Sequence, residues 1–144
     1  MKANQYAQIF FEQHPSLERF APQRVLDKSG SGTTHPEARQ SGDEIWIYPK
    51  FWNHAPQVQD FIFAHEMGHL ILARYSLRLL IADLEMVGID PWDTDKLPFG
   101  SPNMDEAFAD SFASLVTDRD VLHRYPKWAA IVRNVLRTEG QLST

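Results

Sequence analysis

The chain has 144 residues, 43% of them hydrophobic and 12% aromatic, enough for one domain with a real core and too apolar for extensive disorder. Its net charge of -5, with the basic residues scattered, excludes nucleic-acid binding as the main activity. The absence of cysteine excludes a disulfide framework, a cysteine-containing zinc site and a thiol nucleophile.

Met1 to Gln13 lacks the continuous apolar stretch of a signal peptide, and Arg74 and Arg78 interrupt the longest apolar region. No membrane association is expected, and a cytoplasmic location is the default. Ala3 to Gln13 predicts a short helix with Tyr6, Ile9, Phe10 and Phe11 on its apolar side, stopped by Pro15. His14 and His35 fall in predicted turns and are read as surface residues. Leu26 to Gly42 holds Gly30, Gly32, Pro36 and several Ser, Thr and Asp residues, so residues 27–43 or so read as a mobile loop. Glu44 to Tyr48, β-branched and aromatic between Gly42 and Pro49, is the best strand candidate.

Asn53, His54, Ala55 and Pro56 mark a helix start, with Pro56 suited to the first turn. The helix is predicted over Pro56 to Tyr75 and is apolar almost all round, which implies burial on most faces. Inside it lies His65-Glu66-Met67-Gly68-His69, an H-E-x-x-H pattern. Two histidines four residues apart project from one helix face, one turn above the other, and can share a tetrahedral zinc ion. Glu66 then reaches a metal-bound water rather than the metal, the arrangement of a zinc peptidase with a carboxylate general base. The competing reading is a coincidental match, with both histidines hydrogen-bonded inside a core. Gly68 permits another backbone to pass close to this helix.

A second helix is predicted over Ser76 to Val87, ending at Gly88, followed by a loop from Asp90 to Pro102. An amphipathic helix from Asn103 to Val116 carries Phe108, Phe112 and Leu115 inward. Asp118 caps a short turn ending at Tyr125. Pro126 opens a last helix, Lys127 to Glu139, with Trp128, Ile131, Val132, Val135 and Leu136 inward and Gly140 beyond its end. The expectation is an α+β, mainly α chain, one domain over residues 1–144, with a small sheet beside the H-E-x-x-H helix.

A catalytic zinc site takes three protein ligands and keeps one position open. Met104 to Asp110 offers Asp105, Glu106 and Asp110, the last two sharing a helix face. Glu106 is assigned as the third ligand of one zinc per chain. Asp110 is assigned as the acceptor behind a ligand histidine's other N–H, which fixes the imidazole tautomer. The alternative gives Asp110 to the metal.

The pattern His65-Glu66-x-x-His69 followed by Glu106-x-x-x-Asp110 resembles the gluzincin group of zinc metallopeptidases. Glu106 to Ala113, then Val121 to Pro126, looks like the segment after the metal site in anthrax-lethal-factor-like peptidase domains, found in toxins and phage-encoded proteins. It is similar, less closely, to ImmA/IrrE-type peptidases, which act on repressors. The resemblance covers roughly residues 45 to 136, and only the two helices are specific. It implies a zincin-like fold, with Glu106 matching the family's third zinc ligand, and a phage-encoded or partner-delivered protein. The chain departs from it at Phe99, where lethal-factor-like domains tend to place a tyrosine.

The expected reaction is hydrolysis of peptide or protein substrates, with Glu66 as general base. A further donor for the oxyanion is expected among Tyr48, Tyr75, Tyr125, His54 and His123. Ile45 to Tyr48 is expected to act as an edge strand that pairs with an extended substrate. The alternative function is a catalytically weak or silent zinc-binding structural or interaction protein of phage or toxin origin, favoured by the missing hydroxyl at Phe99. A peptidoglycan or small-peptide hydrolase is a third. Substrate identity and oligomeric state are not legible in the chain.

Overall fold

Residues 1–30 and 37–142 are described by the computed structural model. Helix α1 (Ala3–Gln13) turns Ala3, Tyr6, Ala7 and Phe10 inward, the i, i+3, i+4, i+7 stripe of a helix lying on a core, with Phe11 beside them. Ile9, expected on that side, falls outside the stripe and is exposed. His14 closes the helix half-buried, its ring 4.7 Å from that of Phe10. His35 lies outside the described residues.

Three short strands follow: β1 (Arg24–Asp27), β2 (Ala38–Ser41) and β3 (Glu44–Ile47). They form one sheet in the order β1-β3-β2, with β1 parallel and β2 antiparallel to β3. Two expectations change here. The stretch read as a loop contributes β2, joined to β3 by a two-residue turn in which Gly42 takes the positive φ of 58° that such hairpins require; residues 31–36 lie outside the described residues. The strand expected at an edge is the central one: Ile45 and Ile47 are fully buried, and β3 is bonded on both sides. Its neighbour β2 has β3 on one side and no other strand on the other among the described residues.

Helix α2 (Pro56–Tyr75) forms over the residues predicted, with Pro56 in its first turn. Its first half is clamped by an aromatic cluster. The Phe63 ring lies 4.8 Å from Phe10 and 5.3 Å from Tyr6, and Phe51 packs edge-on to Tyr6 at 5.1 Å. Ser76, at φ 106°, breaks the chain into α3 (Leu77–Met86), where its hydroxyl caps the Leu79 amide. Tight turns at Thr94–Lys96 and Pro98–Gly100 occupy the long loop before α4 (Met104–Thr117).

Asp118 accepts from the Asp120 amide at 2.8 Å and starts α5 (Asp120–Arg124). Helix α6 (Pro126–Leu142) buries Trp128, Ile131, Val132 and Val135. It runs on through Gly140 rather than ending before it, because a glycine costs a helix only about 1 kcal/mol. The result is a mainly helical α+β arrangement, α2 held between the sheet on one side and α4 on the other. Among the described residues no helix is long and apolar enough to cross a membrane.

Candidate metal centre

Helix α2 presents His65 and His69 on the face that meets α4. The start of α4 is set by Asn103, whose side-chain oxygen accepts the Glu106 amide at 2.9 Å. That cap places Glu106 in the first turn, where the helix dipole favours a carboxylate. The helices run antiparallel, so Glu106 meets His69 while Asp110, one turn on, lies behind His65.

The spacing between the helices is set by backbone. A Cβ at Gly68 would lie 2.8 Å from the Cα of Ala109 and 3.3 Å from its carbonyl oxygen, closer than side chains normally come. Gly68→Ala adds about 1 kcal/mol of helix propensity but forces the helices apart, a net destabilisation of about 1–2 kcal/mol. We expect a lower melting temperature together with weaker metal binding in titrations. Unchanged values for both would mean that this contact does not set the site.

The three side chains converge on one point. His65 Nε2 lies 2.9 Å from Glu106 Oε2, His69 Nε2 lies 3.1 Å from Glu106 Oε1, and the two Nε2 atoms are 3.1 Å apart. His65, His69 and Glu106 form a group that can hold a metal ion. The two histidines are less than a fifth exposed and Glu106 about a quarter, so the group opens towards solvent on one side.

Asp110 does not join that group. Its Oδ1 is 2.9 Å from His65 Nδ1, which leaves Nε2 as the lone-pair nitrogen aimed at the centre. Asp110 Oδ2 is held in turn by the Ser101 hydroxyl at 2.9 Å, and the same hydroxyl lies 2.8 Å from the Pro98 carbonyl oxygen. Ser101 is buried and was not foreseen; a lone serine in a Pro- and Gly-containing loop carries no sequence signal for this role. Burial opposes the charged form of His65, but the Asp110, Glu66 and Glu106 carboxylates outweigh it and hold its pKa above the ordinary histidine value.

Glu66 is only 4% exposed and sits beside the group, its Oε2 3.9 Å from His65 Nε2. Its other oxygen accepts the backbone N–H of Gln40 at 2.9 Å, a bond from the outer edge of β2. Burial pushes its carboxyl up to about 7, against the opposing pulls of His65 and the Gln40 amide. A buried carboxyl poised near neutrality beside a metal-binding group can accept and return a proton.

The remaining sequence candidates are spread apart. The Tyr75 hydroxyl donates to Asp83 at 2.5 Å. Tyr48 is buried at the start of the turn Pro49–Asn53, with its amide on the Glu37 carbonyl. His54 Nε2 lies 3.5 Å from a Glu37 oxygen, and His123 is exposed on α5. Asp105 takes no part in the group. Tyr125 is the different case. Its ring packs 4.9 Å from that of Phe99, and its hydroxyl accepts the Phe99 amide at 3.3 Å. Phe99 is two residues from Ser101 in the loop before α4.

No protein-family model matches the chain, and no curated protein or solved structure is significantly similar to it.

Proposed function

We propose that the chain is a zinc-dependent metallo-endopeptidase. The observation that carries this reading is the juxtaposition of a metal-holding group, His65, His69 and Glu106, with the buried, proton-accepting carboxyl of Glu66. The donor set favours zinc: two imidazoles and one carboxylate make up a known catalytic zinc set, and they leave a fourth position open. Ligand atoms about 2.0 Å from a tetrahedral ion stand about 3.3 Å from one another, close to the 2.9–3.1 Å separations among these three. Zinc held there by His65, His69 and Glu106 would supply a water with its pKa lowered towards about 7 and a Lewis acid for the substrate carbonyl.

Glu66 would accept a proton from the attacking water as the water oxygen bonds to the scissile carbonyl carbon. It then delivers the proton to the amide nitrogen as the C–N bond breaks, so one carboxyl serves as base and then as acid. Asp110, steadied by Ser101, keeps His65 in the tautomer with a free Nε2. The outer edge of β2, tied to Glu66 through Gln40, is assigned as the strand along which an extended substrate lies.

The test is metal content followed by digestion. The purified chain is expected to carry one zinc, and to cut denatured proteins in a reaction that a chelator stops and added zinc restores. Bound zinc with no chelator-sensitive cleavage of any substrate would instead make the metal a structural element.

A further inference from the structure

Strand β2 presents alternate residues to its two sides, and its pairing with β3 fixes which backbone groups point outward. The Tyr48 amide donates to the Glu37 carbonyl, so in the antiparallel register Glu37, Arg39 and Ser41 spend their backbone groups on β3. Ala38 and Gln40 therefore point theirs to the free edge, and the bond from the Gln40 amide to Glu66 agrees. A peptide added antiparallel to this edge would bond through Ala38 and through the Gln40 carbonyl. The peptide residue opposite Arg39 would then form a non-hydrogen-bonded pair, the closer of the two pair types, with Cα atoms about 4.5 Å apart and side chains on the same face.

Arg39 is exposed and stands one residue from the group that holds Glu66. Its guanidinium lies 6.0 Å from the Trp46 ring, but Lys28 already covers that ring at 4.4 Å. Three arginines of the chain are paired with carboxylates, Arg24 with Glu44, Arg74 with Asp43 and Arg124 with Asp120, and Arg39 is the arginine on the strand tied to Glu66. Among the described residues no carboxylate forms an ion pair with Arg39. Its positive charge reaches Glu66, where it favours the ionised carboxyl. A cation with no direct ion pair among the described residues, on an edge strand and at the level of the candidate metal centre, fits an incoming negative charge.

We propose that Arg39 selects substrates by pairing with an acidic side chain, Asp or Glu, at the peptide position directly across the strand edge from it. This inference rests on the peptidase reading of the cleft and names the substrate class that reading leaves open. With a strand rise of about 3.3 Å per residue, the selected position falls within about two residues of the bond that is cut. Opposite charges paired across strands change affinity by up to about fivefold, and a charge reversal changes it further in the other direction.

The experiment uses pools of ten-residue peptides, each with Glu, Gln or Lys fixed at one position among randomised neutral residues. Cleavage is measured with the zinc-loaded full chain, and binding is measured separately, by fluorescence anisotropy, with the full-length Glu66→Gln variant. The expected result is a Glu-over-Lys preference of about fivefold at a single position relative to the cut. Arg39→Glu should invert it, whereas Arg39→Lys should keep its sign. Cleavage with no acidic preference, or with a preference that Arg39→Glu leaves unchanged, overturns the inference and leaves the peptidase reading standing. If the wild-type chain cuts nothing, the peptidase reading falls, and the binding arm decides alone. An acid preference that Arg39→Glu inverts then sustains the role of Arg39, and its absence removes it.

Discussion

On the proposed peptidase reading, Glu66→Gln is expected to retain zinc and to cleave substrates about a hundred- to ten-thousand-fold more slowly, the range lost with a general acid–base group. The substitution is well suited to the site. The carboxamide oxygen of glutamine can still accept the Gln40 amide, so the link between β2 and α2 survives. None of the three ligand atoms belongs to Glu66, so the metal-holding group remains complete. What is lost is the ability to take a proton near neutral pH. Metal analysis alongside steady-state kinetics on one peptide checks both halves. Full activity in this variant would remove Glu66 from the mechanism, and loss of zinc would make it a ligand.

The second large effect separates the two acids of α4. Glu106→Ala removes one of three ligands, and a chain with only His65 and His69 is expected to retain no stoichiometric zinc after dialysis. Asp110→Ala leaves the proposed ligands in place but frees the His65 ring from the carboxylate on its Nδ1, and a loss of about 10- to 100-fold in zinc affinity is expected. Competition titration against a chromogenic chelator ranks the two. The reverse order would transfer the metal from Glu106 to Asp110, against the geometry in which Glu106 touches both histidines.

The long elements were legible because their signals are local. Helix α2 follows from Pro56 and a mostly apolar run, and the candidate metal group with its supporting Asp110 follows from two i, i+4 pairs, His65 with His69 and Glu106 with Asp110. Strands β1 and β2 were not, because Arg24-Val25-Leu26-Asp27 and Ala38-Arg39-Gln40-Ser41 are short and half polar. They are strands through pairing with Ile45 and Trp46, which no local pattern encodes. The edge role was misplaced onto β3 for the same reason. Yet its Ile45-Trp46-Ile47-Tyr48 run, with little polar alternation, is what a strand covered on both sides looks like. The hold on Glu66 comes from a backbone amide, and a backbone amide leaves no trace in residue identity. Ser101 was hidden differently: its position depends on how the loop from Asp90 folds back against α4.

The aromatic clamp at Phe63 has a consequence for how this chain can change over generations. Tyr6, Phe10, Phe51 and Phe63 anchor α2 through contacts that involve none of the metal-holding residues. The chain is therefore expected to fold before any ion binds, unlike small domains whose cohesion is supplied by their metal. A lineage could lose His69 or Glu106 and keep an intact scaffold. Its descendants could then drift into purely adhesive or regulatory work while still presenting the same strand edge to other chains.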